Sequence, residues 1–442
     1  ARRWTAGPSH FMKYISTNGA TAPTTLREAL LAGLAPDGGL YVAESSVRHD
    51  LRTFDGCDDL PAVAARFLKP FFAGDDALEA PLPLICRRSL DIETPLVGLG
   101  EGSSLLELFH GPTAAFKDYG ARFLANSLAA LRPEDAHAKP LTILVATSGD
   151  TGSAVAAAFH GLPGFRVVIL YPDGRVSKRQ AHQLGCFGDN ILALRVPDGF
   201  DRCQALVKQA FGDADLRERV PLSSANSISL GRLLPQATYY AHAALRHHRK
   251  TGRSLSFVVP TGNLGNAVAA LMAREAGLPI ARIVFATNAN RTVPEFIQSG
   301  AYRGRPSVAT LANAMDVGDP SNVARLRFMM AQDPSLAAAL SAVSIDDETI
   351  RARIRAGERD YGQVFCPHTA CAIEALEQER QRGAKDDLCA VATAHPAKFD
   401  DVVEPLVGHA VTPPKALAVM LNRPAASEPL PPQFEALKER LL

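Results

Sequence analysis

One repeated unit constrains the fold more than any other feature of this chain: a short apolar, β-rich run, a loop of Gly, Ser, Thr and Asn, then a helical pattern. Residues 141–146 (LTILVA) lead into Thr147-Ser148-Gly149-Asp150-Thr151-Gly152 and then SAVAAAFHG. Residues 256–259 (SFVV) lead into Pro260-Thr261-Gly262-Asn263-Leu264-Gly265-Asn266 and then AVAALMAREAG. Further strand candidates are 166–170 (RVVIL), 191–196 (ILALRV), 282–286 (RIVFA) and 388–392 (LCAVA), the last running into Thr393-Ala394-His395-Pro396. Strands alternating with helices imply parallel sheets. Strands that are apolar throughout, rather than at every second residue, imply cover on both faces. The fold class expected is therefore α/β, with parallel sheets flanked by helices.

Composition narrows the function classes. Lys+Arg number 47 against 46 Asp+Glu, so the basic excess of a general nucleic-acid or anionic-membrane binder is missing. Apolar stretches are short and interrupted, and no transmembrane helix is expected. The seven cysteines are scattered, odd in number and without a C-x-x-C pair, which fits a reducing compartment and a cytoplasmic protein. Cys366-Pro367-His368 reads as a core thiol beside a loop histidine rather than as a metal site.

A chain of 442 residues allows two or three domains. Residues 1–11 carry no periodicity and no apolar stretch of a signal peptide, and Met12 opens a more natural start, so they read as an appended, non-native remnant. Residues 12–90 read as an N-terminal domain with a turn at Pro36-Asp37-Gly38-Gly39. Residues 91–134 and 226–425 read as a large domain, and 135–225 as a small α/β domain. That small domain is entered near Arg132-Pro133-Glu134 and left near residues 222–229. A Pro-rich stretch after Thr412 ends in a surface tail, 426–442.

Four segments carry residues suited to chemistry. Lys117 follows a turn of small residues and opens a helical pattern, where an amine is readily held and partly desolvated; taken alone it reads better as a solvated lysine, as most lysines are. Ser148, Gly149, Asp150 and Thr151 lie where free helix N–H groups bind anions, yet Ser, Asp and Thr are equally good helix caps. Gly262, Asn263, Leu264, Gly265 and Asn266 repeat that device with residues that tolerate positive φ. The sequence there is neither G-x-G-x-x-G nor a Walker A loop, so a phosphate cradle is favoured over a dinucleotide or ATP site. Asn226 and Arg232 place an amide and a guanidinium close together, the latter able to clamp a phosphate or carboxylate. Thr393 ends a strand, at the sheet edge where α/β proteins bind ligands. His395 reads as a hydrogen-bonded structural histidine.

These pieces, in this order, resemble the threonine synthase family, in its longer bacterial and fungal branch. The likeness rests on TLREALLAGLAPDGGLYV, FHGPTAAFKD, ATSGDTGSA, SANSISLGRLLPQ, VPTGNLGN, ATLANAMDVGDPSN and ATAHPAKF, from about Met12 to about Phe399. It implies fold type II of the pyridoxal-phosphate enzymes, similar to the tryptophan synthase β subunit, and pyridoxal 5′-phosphate as cofactor. It also implies a small-molecule substrate, O-phospho-L-homoserine, converted with water to L-threonine and phosphate by γ-elimination and β-addition. Lys117 would form the Schiff base and move protons. Gly262, Asn263, Leu264, Gly265 and Asn266 would cradle the cofactor phosphate, and Thr393 would meet the pyridine nitrogen. Ser148, Gly149, Asp150, Thr151, Asn226 and Arg232 would surround the substrate's anionic groups. Where related sequences often read GNFGD this chain has Gly262-Asn263-Leu264-Gly265-Asn266, which loses a ring and a charge but keeps the backbone donors. A phospholyase or β-replacement enzyme on the same scaffold is the alternative. A nicotinamide oxidoreductase and a non-catalytic phosphate binder are more distant ones. No metal, nucleic-acid or membrane partner is expected, and the chain would act as a monomer or homodimer.

Overall fold

The structure, a computed structural model, describes residues 11–132 and 139–442. Residues 1–10 of the expected remnant and the expected Pro133-Glu134 crossing lie outside the described residues. The strand–loop–helix units assemble into two large sheets. One has six strands in the order Leu340–Ser344, Ile280–Thr287, Leu255–Pro260, Asp387–Ala392, Ser103–Glu107 and Leu96–Gly100. All its pairings are parallel except the last. The other is wholly parallel and runs Glu428–Pro429, Ile191–Val196, Phe165–Pro172, Leu141–Ala146 and Leu222–Ser224.

Why the strands are apolar at every position follows from their two faces. In the six-stranded sheet Phe257, Val259, Ile283 and Phe285 join the main core, while Val258, Val284 and Ala390 join a second core with the helix Pro367–Gln381. In the five-stranded sheet Ile143, Val145, Val167 and Ile169 enter the same main core, and Leu144, Val168 and Leu170 enter a third. The main core is thus shared by both sheets. Alternate residues of a strand point to opposite faces, so a strand covered on both sides cannot alternate in polarity.

The N-terminal segment forms an antiparallel pair, Tyr14–Ser16 with Tyr41–Ala43, and helices Leu26–Ala32, Leu60–Phe72 and Leu82–Leu90. The first helix starts with a complete capping box between Thr25 and Glu28, which satisfies two backbone donors reciprocally. The C-terminal tail does more than cover the surface. Its strand Glu428–Pro429 extends the five-stranded sheet, and Leu430, Leu437 and Leu441 are buried in the third core. All seven cysteines are free and buried. Among the described residues no helix is long and apolar enough to cross a membrane.

Candidate active site

Lys117 begins the helix Lys117–Leu131, and its register is fixed from the far end of the sheet. Ala115 bridges Ala394 antiparallel, the Phe116 N–H donates to the Thr393 carbonyl at 2.8 Å, and the His395 N–H donates to the Ala114 carbonyl at 3.0 Å. The lysine turn is therefore stitched onto the end of strand Asp387–Ala392. Ala114 takes the left-handed backbone region, φ 56°, a conformation that costs an L-residue about 1–2 kcal/mol. Two contacts hold it there: the Ala114 N–H donates to the Gly111 carbonyl at 3.0 Å, and Asp118 accepts from the Thr113 amide and hydroxyl.

Lys117 and Thr393 line one cavity, together with Gly262, Asn263, Leu264, Gly265 and Asn266. Lys117 keeps part of its surface, but its amine lies among buried groups. Burial, with the positive charge of Arg232, lowers its pKa to about 7, against the opposing pull of Asp150. A population of neutral, nucleophilic amine is thus available near neutral pH.

The 262–266 loop leads from strand Leu255–Pro260 into helix Gly265–Glu275. Leu264 caps this helix in the left-handed region, φ 61°, and no side chain accepts its first N–H groups. Those donors and the helix dipole face the cavity unopposed, the arrangement that binds phosphate. Gly262 is needed for close approach, since a Cβ there would meet the Met315 Cα at 2.6 Å. Asn263 is structural: its Nδ2 donates to Ser227 Oγ at 2.5 Å, and its Oδ1 accepts the Ser321 N–H at 2.7 Å. Asn266 Oδ1 accepts the hydroxyls of Tyr239 and Tyr240, while its buried Nδ2 has no protein acceptor. A cavity-lining amide donor without a partner suits an anion.

The other glycine loop differs. The Thr147 hydroxyl accepts the Gly149 and Gly152 N–H groups at 3.0 and 2.9 Å, so helix Asp150–Phe159 is already capped from within. Asp150 lines the cavity, whereas Ser148, Gly149, Thr151, Asn226 and Arg232 are not part of its lining. Asp150 is not free to meet an anion: its Oδ1 lies 3.1 Å from Lys398 Nζ and accepts Gln180 Nε2 at 3.0 Å. Arg232 is fully buried, donates from Nη1 to the Ala225 carbonyl, and leaves Nε and Nη2 without acceptors.

Sequence reasoning did not find Lys398 or Gln180, and it read His368 as a loop histidine, whereas the residue lies in the first turn of helix Pro367–Gln381. His368 lines the cavity and its Nε2 accepts the Ala314 N–H at 3.1 Å, so the Nδ1 nitrogen carries the proton. Cys366 is a helix cap, its Sγ accepting the Thr369 N–H at 3.4 Å. His395 is a cap as well, accepting the Ala397 N–H at 3.2 Å.

Two packed parallel sheets and a desolvated lysine facing an uncapped helix N-terminus are the elements of a fold type II pyridoxal-phosphate enzyme. The family model described as pyridoxal-phosphate dependent enzyme matches residues 91–394. Solved structures as distant as maize serine racemase share the fold alone, with a TM-score of 0.53 at 17% identity over 72% of this chain. Nearer relatives narrow the class. The models for the threonine synthase N terminus and C-terminal region match residues 13–90 and 369–440. Threonine synthase of Serratia marcescens is 39% identical over 98% of this chain and 99% of its own length. The crystal structure of the Escherichia coli threonine synthase superposes with a TM-score of 0.90 at 38% identity, covering 97% of this chain and 99% of that one. A pyridoxal-phosphate-bound threonine synthase from Brucella melitensis gives 0.87 at 33% identity, covering 97% and 98%. The chain belongs to the threonine synthase family.

Proposed function

We propose that this enzyme converts O-phospho-L-homoserine and water to L-threonine and inorganic phosphate, with Lys117 as the lysine that carries pyridoxal 5′-phosphate. The observation that carries the substrate reading is Arg232. A guanidinium buried with two unpartnered nitrogens is costly, and a doubly charged substrate phosphate or a carboxylate would satisfy both at once. Its charge is felt at Lys117, whose pKa it lowers.

The cavity residues fit the cofactor. The N–H groups at the start of helix Gly265–Glu275, with the Asn266 amide, would hold its phosphate. Thr393 would meet the ring nitrogen with a neutral hydroxyl. Bound there, pyridoxal phosphate supplies an electron sink for charge developing at the substrate Cα. The chain supplies the rest. Lys117 takes and returns protons, for which a pKa near 7 is close to ideal. Burial around it limits stray water. Ser148, Thr151 and Asn226 would add polar contacts to the substrate from the two loops. The free, buried cysteines and the bacterial biosynthetic relatives support a cytoplasmic setting.

The test is direct. Purified protein reconstituted with pyridoxal phosphate should show a visible absorbance band and form threonine and phosphate in equal amounts. Lys117→Ala should lose both the band and the activity. Phosphate released with a keto acid and no threonine would make the enzyme a phospholyase instead.

A further inference from the structure

Lys398 has no part in the reaction described so far, yet it is among the most completely buried charges of the molecule. It is 0% exposed and sits in the turn Pro396–Phe399, a few residues beyond the strand Asp387–Ala392. Its Nζ lies 3.1 Å from Asp150 Oδ1 and donates to the Thr113 carbonyl at 2.7 Å. Ser177 Oγ and Arg179 Nη1 donate to the carbonyls of Lys398 and Ala397, at 2.8 and 2.6 Å. One side chain thus joins the capped loop of the five-stranded sheet to the turn that presents Lys117 and to the C-terminal edge of the six-stranded sheet. An ion pair buried this deeply is rarely a net gain in stability over apolar packing, which directs attention to what it does for the site.

We propose that Lys398 is a positioning residue: from behind the cavity wall it holds Asp150 as an ionised carboxylate beside Lys117, and turnover requires that charge. The inference rests on the reading of Lys117 as the proton-moving lysine. Such a lysine must be able to hold a proton as well as give it up. Burial and the cation of Arg232 both press it toward the neutral amine, and Asp150 opposes them. Asp150 is itself buried, which alone would protonate it; the Lys398 charge, with the Gln180 bond, reverses that and keeps its pKa below the ordinary value. The titratable groups facing Asp150 are Lys398, His368, Lys117 and the Cys366 thiol. Those acting on or felt from Lys398 are Asp150, Asp118, His368 and His395.

The experiment uses reconstituted enzyme and cofactor-free protein, comparing wild type, Lys398→Met, Lys398→Arg, Asp150→Asn and the Asp150→Asn/Lys398→Met double variant. In Lys398→Met the buried Asp150 loses its counter-charge and binds a proton at neutral pH. kcat for O-phospho-L-homoserine should fall at least tenfold at pH 7 with KM changed less than threefold, and the acid limb of kcat should move up by one pH unit or more. Activity, relative to wild type, then recovers as pH rises. Stability moves the opposite way. A carboxylate whose folded pKa is raised loses stability with rising pH, so the cofactor-free variant should melt lower at pH 8 than at pH 5, relative to wild type. Lys398→Arg should restore the acid limb, and the double variant should be no less active than Asp150→Asn alone. Activity that simply follows stability, with an unmoved acid limb, overturns the proposal. Should Lys398→Met fail to fold, an Asp150→Asn enzyme as active as wild type overturns it equally. The visible band in wild type and Lys398→Met keeps the outcomes apart: without it the Lys117 reading fails, and with it only the role of Lys398 is judged.

Discussion

The carboxylate of Asp118 accepts two hydrogen bonds from Thr113, one from the amide at 2.9 Å and one from the hydroxyl at 2.7 Å. Both residues are 0% exposed. The pair closes the turn that ends at Lys117, and a Cβ at Gly111 would come within 2.4 Å of the same carboxylate. Asp118 therefore sets the backbone from which the proposed cofactor lysine projects.

That arrangement carries a pH signature. Burial raises the Asp118 pKa from 3.8 to about 6, against the Thr113 bonds and the charges of Lys398 and Arg122. A group whose folded pKa is raised contributes stability below its unfolded pKa and loses it as pH rises through the folded value. A shift of two units corresponds to about 3 kcal/mol. Asp118→Asn keeps the hydrogen-bonding shape without the charge. Urea unfolding of the cofactor-free protein should show wild type losing about 3 kcal/mol against Asp118→Asn between roughly pH 4 and pH 7. Parallel profiles for the two proteins would contradict the burial argument.

Gly262→Ala tests the cradle. The added methyl would lie 2.6 Å from the Met315 Cα and 2.8 Å from its carbonyl oxygen, and backbone cannot yield as a flexible side chain can. Overpacking of this kind costs about 1–3 kcal/mol. Expressed as cofactor affinity, the loss is roughly tenfold to a hundredfold, measured by titrating cofactor-free protein with pyridoxal phosphate. Gly199→Ala is the control, because nothing lies within 4 Å of its Cβ position.

What the sequence disclosed and what it concealed divide along a physical line. The strands at 141–146, 191–196 and 255–260 and the glycine loops after them are local signals, carried by contiguous residues. The positions read as cofactor contacts, the 262–266 loop together with Lys117 and Thr393, line the same cavity. Strands Leu96–Gly100 and Leu340–Ser344 escaped notice. They are the edges of the six-stranded sheet, and with one face less covered they contain Gly and Ser in place of a continuous apolar run. Lys398, His368 and Gln180 escaped for another reason. Their roles come from partners far away in the chain, and no local pattern separates a lysine with a buried carboxylate from one in water.

Arg325 is the clearest such case outside the cavity. It is 1% exposed and donates to the Tyr41 carbonyl from Nε and Nη2, to the Ile228 carbonyl from Nη2 and to Asn322 Oδ1 from Nη1. Asn322 Nδ2 in turn donates to the Asn263 carbonyl at 2.9 Å. One guanidinium ties the N-terminal strand pair, the 225–229 loop and the cradle together. Arg325→Met should lower the unfolding free energy by about 3–5 kcal/mol, since it strands buried acceptors. It should also weaken cofactor binding, through Asn322. A melting temperature within a degree or two of wild type would refute the network.

Arg232 should behave in the opposite way, because two of its three guanidinium nitrogens are buried without an acceptor, whereas all three of Arg325 are satisfied. Removing an uncompensated buried charge relieves strain that function retains. The Ala225 carbonyl loses its donor in exchange, at a cost of about 1 kcal/mol, smaller than the penalty of the charge. Burial already depresses the guanidinium pKa to about 10, against the pull of Asp118 and Tyr239. Arg232→Met should therefore raise the melting temperature of the cofactor-free protein. The same variant should raise KM for O-phospho-L-homoserine roughly a hundredfold, for about 3 kcal/mol of lost charge-assisted hydrogen bonding, while the visible cofactor band persists. Arg232→Lys keeps a point charge without the fork and should recover only part of that loss. Greater stability together with weaker substrate binding is what an anion receptor predicts. A purely structural arginine would lose stability and leave KM alone.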